Sequence, residues 1–85
     1  MYALPPKKEI LQKSFGNHIK QLRLKKGLTQ VDVSSSMNKD QQSLQRVESG
    51  NVSPSLYYLF QLAEALNVEP GELLVFKIQL SKKVK

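Results

Sequence analysis

With 85 residues, 40% of them hydrophobic and 7% aromatic, the chain can fold as one domain around a small core of Leu, Ile and Val, and not as two. It has no cysteine, one histidine (His18) and scattered carboxylates, which excludes disulfides and thiolate metal sites and leaves no metal or cofactor expected. The net charge of +6 is uneven. Residues 1–27 hold seven Lys/Arg and one acid, residues 28–76 two and six, and residues 77–85 four and none, a balance that favours a polyanionic partner.

Residues 1–6 are expected to form a flexible arm, because Pro5 and Pro6 cannot lie inside a helix. The opening MYALPPKKEI lacks the apolar stretch of a secretory signal, and no run approaches the roughly 18 apolar residues of a membrane span. A cytoplasmic protein with no membrane association is the expectation. From about Lys7 a helix is predicted, with Leu11, Phe15, Ile19 and Leu22 on one stripe and His18 at its edge as a partly buried packing residue. Gly16 weakens that helix slightly, and Lys25-Lys26-Gly27 ends it with cations in the last turn and a glycine cap.

Leu28 precedes a second helix that Thr29 and Asp32 open as a capping box. Val31, Val33 and Met37 can face inward. Three consecutive serines are poor helix formers, so this helix must be held by tertiary packing. Asn38 suits a left-handed C-cap, and Asp40 begins a third helix.

On the third helix, counting 100° per residue, Leu44, Val47 and Glu48 lie on the inner side, while Gln42, Gln45, Arg46 and Ser49 point outward. An inward carboxylate needs a partner, and Arg23 late in the first helix is the candidate. Ser53-Pro54 is expected to open a fourth helix over about residues 55–66, burying Leu59, Leu62, Ala63 and Leu66, with Phe60 and Tyr58 flanking that stripe and Tyr57 almost opposite. Glu69-Pro70 starts a short fifth helix, from which Leu73 or Leu74 returns to the core. In the tail, Phe76, Ile78 and Leu80 alternate with Lys77, Gln79 and Ser81, the pattern of a half-buried strand. A lone strand has no pairing partner in a helical monomer, so this basic tail is either disordered or paired with its copy in a second subunit.

The segments FGNHIKQLRLKKGLTQ, QQSLQRVESG and SPSLYYLFQLAEALNVEPGELL, in that order and spacing over residues 15–74, resemble the helix-turn-helix domain of the phage Cro and repressor family of bacterial transcription regulators. The resemblance implies an all-α, compact five-helix bundle, placed with its leading helix over residues 7–75; the tail over 76–85 lies outside the resemblance and is the candidate for a short dimerisation strand. The third helix would enter the DNA major groove. Gln41, Gln42, Ser43 and Arg46 match positions that reach base edges. Gln30 matches a position that touches phosphate and steadies the reading helix, and Asn51 and Ser55 lie where the loop and fourth helix approach phosphate. Gln45 and Ser49, outward on the same helix, join the backbone-contacting set, and Arg23 with Glu48 matches a charged pair tying the first helix to the third. Three residues depart from the family pattern. Ser34 replaces the usual Ala, Val33 the usual Leu, and Lys39 stands at a turn position commonly apolar, from which its long side chain can reach phosphate.

The function this implies is sequence-specific DNA binding by a homodimer on a palindromic operator, with Tyr57, Phe60, Phe76, Ile78 and Leu80 supplying the dimer surface. The alternative is an antitoxin or adaptor whose principal partner is another protein. No small-molecule ligand is evident. One histidine and no paired carboxylates give no nucleophile–base set, so an enzyme is not expected.

Overall fold

Four α-helices follow one another in the computed structural model, which describes residues 7–78: α1 Lys8–Lys25, α2 Gln30–Ser36, α3 Gln41–Glu48 and α4 Leu56–Leu66, with a 3-10 helix at Pro70–Leu74. The chain chemistry at each boundary accounts for this division. Thr29 and Asp32 exchange hydrogen bonds of 2.9 Å in both directions at the start of α2. The Asp40 carboxylate accepts from the Ser43 N–H at 3.0 Å, and the Ser55 hydroxyl from the Tyr58 N–H at 3.1 Å. Each cap satisfies an amide that the first helical turn leaves without a carbonyl.

All four helices end the same way, on a residue of positive φ: Gly27, Asn38, Gly50 and Asn67. The residue after each returns its N–H to a carbonyl five residues back, as in Leu28 to Arg23, Lys39 to Ser34, Asn51 to Arg46 and Val68 to Ala63. These repeated closures of the last turn keep the connections short and fix the direction in which the next helix leaves.

The core joins all the elements: Phe15 and Ile19 from α1, Val33 from α2, Met37 from the turn, Leu44 and Val47 from α3, Leu62, Ala63 and Leu66 from α4, and Leu73 from the 3-10 helix. Ser34 is buried among them, with its hydroxyl donating to the Gln30 carbonyl at 2.8 Å. A small side chain whose one polar group is satisfied by its own helix therefore fills the place of an alanine. Gly16 and Gly50 let backbones meet. A Cβ on Gly16 would fall on the Val47 carbonyl oxygen and 2.6 Å from that of Glu48, and one on Gly50, at φ +77°, would lie 2.7 Å from the Lys13 Cα.

Several expectations are corrected. The fifth helix is a five-residue 3-10 segment and not an α-helix: Pro70 and Gly71 open it, and the Glu72 N–H bonds the Glu69 carbonyl three residues back at 2.9 Å. α4 is capped by Ser55 and not Ser53, so Pro54 precedes the helix instead of opening it. Leu11 and Val31 are exposed, and of the Leu73/Leu74 pair it is Leu73 that enters the core.

No strand occurs among the described residues, and Phe76, Lys77 and Ile78 have irregular backbone. Phe76 packs edge-on against Phe15 at 5.8 Å between ring centroids and stacks on His18 at 5.3 Å. Phe76 and Ile78 are half-buried with Lys77 exposed between them, so the alternation records a segment with one side turned to its own protein. The arm over 1–6, and Leu80 with the rest of the tail strand, lie outside the described residues.

Candidate nucleic-acid interface

α2, the Met37–Asp40 turn and α3 form the part of the fold with the largest concentration of outward amides. Gln41, Gln42, Gln45 and Arg46 on α3 are exposed, as are Lys39 in the turn and Ser49, Asn51 and Ser55 beyond α3. Leu44 and Val47, both fully buried, anchor the opposite side of α3. Its polar face is thereby fixed in orientation, since a helix with two sealed apolar anchors cannot roll.

The base of this face is a hydrogen-bond network. Arg23 on α1 donates through Nε to Glu48 Oε2 at 2.7 Å and through an Nη to Oε1 at 3.0 Å, and its other Nη donates to the Leu28 carbonyl at 2.8 Å. The two side chains are 8% and 4% exposed, so the pair is desolvated as well as bidentate. The bonds to Glu48 hold the Arg23 guanidinium in its charged form beyond the ordinary arginine range, against the opposing effect of burial. Gln30 on α2 donates to Glu48 Oε1 at 2.9 Å, and Gln41 at the start of α3 donates to Gln30 Oε1 at 3.2 Å. One carboxylate therefore ties together α1, the loop after it, α2 and α3.

A second brace comes from α4. The Ser43 hydroxyl donates to the Tyr58 hydroxyl at 3.4 Å, and Lys39 Nζ sits 5.9 Å from the centre of the Tyr58 ring. Half-burial raises the Tyr58 hydroxyl's pKa above the ordinary tyrosine value. Among the predicted base-facing residues, Ser43 is half-buried and turned toward α4, and Gln41 is engaged by Gln30. Gln42 and Arg46 have no side-chain partner among the described residues. The Ser49 hydroxyl donates back to the Gln45 carbonyl at 2.7 Å.

Sequence reasoning passed over Tyr58 as a brace, Gly16 as a contact point and Gln12, whose amide donates to the Gly50 carbonyl at 3.0 Å. A tyrosine beside an apolar stripe carries no sign of the hydroxyl it will meet. Of the residues assigned to a dimer surface, Tyr57 and Phe60 on α4 are 74% and 54% exposed, next to Leu56, which is also exposed. Phe76 faces Phe15 and His18. No described helix is long and apolar enough to cross a membrane, and no cluster of metal-ligating side chains occurs among the described residues.

The Helix-turn-helix family HTH_3 matches residues 19–73. The HTH-type transcriptional regulator y4dJ of Sinorhizobium fredii is 38% identical over 63 residues, covering 74% of this chain and 82% of the relative. The restriction-modification controller protein C.AhdI from Aeromonas hydrophila is similar in structure, with a TM-score of 0.71 and 35% identity over 73% of this chain and 94% of its own. The clp gene regulator ClgR from C. glutamicum shares the fold, with a TM-score of 0.73 at 20% identity over 84% of this chain and 88% of its own.

Proposed function

This chain belongs to the HTH_3 helix-turn-helix family of DNA-binding transcriptional regulators, and from that premise we propose that it reads a palindromic operator as a homodimer with α3 in the major groove. The observation that carries this reading is the exposed α3 face. The Gln42 and Arg46 side chains have no partner among the described residues and stand beside Gln41, on a helix whose rotation is fixed by Leu44 and Val47. Arg can bond guanine O6 and N7 with two hydrogen bonds, and a glutamine amide can bond adenine N6 and N7. Gln41, Gln42 and Arg46 take base edges in this reading, and Ser43, turned toward Tyr58, braces the helix that carries them. Gln30, Lys39, Gln45, Ser49, Asn51 and Ser55 take phosphates, which position the protein without specifying sequence.

The homodimer follows from size, because one small module binds DNA weakly and two related by a two-fold axis read two half-sites. Tyr57 and Phe60 would form its centre, with the tail as an accessory.

Selection of bound sequences from a random DNA pool tests the whole reading. The expected product is a two-fold-symmetric site with half-sites about 34 Å apart, one helical turn. A pool that remains random would overturn sequence-specific binding, and an enriched site without symmetry would overturn the homodimer.

A further inference from the structure

The network beneath α3 has a direction. A guanidinium only donates and a carboxylate only accepts, whereas an amide does both from opposite ends. Glu48 Oε1 accepts from Arg23 and Gln30, so Gln30 must turn its NH2 toward α1 and its carbonyl oxygen toward α3. Gln41 must then turn its own NH2 to that oxygen. Amide orientations are ordinarily ambiguous, but a chain that starts at a charged group fixes each in turn.

We infer that Glu48 determines base specificity at a distance: through Gln30 it fixes the orientation of the Gln41 amide, so that Gln41 holds its carbonyl oxygen toward DNA. This rests on the proposed DNA reading. Glu48 and Gln30 are positioning residues, and Gln41 is the group that touches the base. The outward carbonyl is an acceptor, and the major-groove bases that offer it a donor are those with an amino group, adenine at N6 and cytosine at N4. Guanine O6 and thymine O4 present acceptors to it and are rejected. At the base pair read by Gln41 the protein therefore prefers an amino base over the corresponding oxo base. With the relay cut, the amide is free to rotate by 180° and meets either kind.

The test uses the full chain and the operator selected from random DNA. Gln41→Ala identifies the base pair, as the one whose preference it flattens. Two variants then cut the relay without touching Gln41. Gln30→Met removes both bonds of the middle amide and leaves Arg23 and Glu48 paired. The double variant Arg23→Met/Glu48→Met removes the charged source while filling its space, an exchange that buried ion pairs often tolerate. Binding is measured to operators that differ only in carrying an amino or an oxo base at that position.

The preference of the unaltered protein is expected to be about tenfold or more, falling to near unity in either variant and falling no further when Gln30→Met is combined with Gln41→Ala. Retention of the full preference in both variants, a preference for the oxo base in the unaltered protein, or a Gln41→Ala variant that flattens no position would each overturn the relay while leaving DNA binding intact. A random pool from which nothing is enriched would remove the DNA reading and the relay together.

Discussion

Gly16 of α1 lies so close to the Val47 carbonyl of α3 that no methyl group fits between the two backbones. Alanine is the better helix former by about 1 kcal/mol, so on an isolated helix Gly16→Ala would stabilise. Here the added Cβ would meet the carbonyls of Val47 and Glu48, which are backbone and cannot rotate away. α1 and α3 must separate, and the expected outcome is a net loss of about 1–3 kcal/mol, the range of core overpacking. Urea unfolding of Gly16→Ala checks the sign. A more stable variant would show that the helices part at little cost.

Glu48→Ala leaves the Arg23 guanidinium desolvated, with the Leu28 carbonyl as its one remaining acceptor among the described residues, and removes the acceptor that orients Gln30. Removing one member of a buried pair costs about 3–5 kcal/mol. For a domain of this size most of the folding stability would go, so the loss should appear first as a lowered melting temperature. An unchanged melting temperature would mean that water replaces the carboxylate without penalty.

These two cases show what the sequence makes legible. Helix boundaries are readable wherever one residue's chemistry sets them, as with Thr29, Asp32, Asp40 and Asn38. Glu48 could be matched to Arg23 because a carboxylate on an apolar helix face demands a partner and few cations lie within reach. Gly16 carried no such demand: a mid-helix glycine looks the same in sequence whether it is tolerated or required. Ser53 and Ser55 are equally good caps, and only the fold selects Ser55. The alternation at Phe76–Ile78 suggested pairing between strands, but one side turned toward a helical core gives the same period.

Acid should weaken α2 first at its N-terminus. The Thr29 N–H donates to the Asp32 carboxylate and holds its pKa below the ordinary value of about 4. A group whose pKa is depressed by folding stabilises fully above its unfolded value and loses that contribution as pH falls through the folded one. The stability difference between the unaltered protein and Asp32→Asn should therefore be constant from pH 7 to about 5 and shrink below about 4. Urea titrations at pH 7 and pH 3 measure it, and a difference equal at both would remove Asp32's charge from the account.

Arg46 and Lys39 separate base reading from phosphate attraction. Arg46→Ala is expected to cost about 1–3 kcal/mol on the selected operator and to relax preference at one base pair. Lys39→Ala should weaken all sequences alike and reduce the salt dependence of binding by about one counterion. Binding isotherms at several salt concentrations distinguish the two. If Arg46→Ala binds every sequence uniformly worse, Arg46 contacts phosphate.

Phe60 tests the homodimer. Its ring is more than half exposed beside Tyr57 and Leu56, with its helix already anchored by Leu62, Ala63 and Leu66, so a charge there should leave the fold intact. In a dimer centred on this strip, Phe60→Asp would place two carboxylates in an apolar contact across the two-fold axis, where desolvation and like-charge repulsion both oppose association. Sedimentation at micromolar concentration should show the unaltered protein as a dimer and Phe60→Asp as a monomer with an unchanged melting profile when both are diluted. Operator affinity should fall at least about tenfold, because a single half-site contact remains. Equal sedimentation of the two proteins would move the dimer surface away from α4.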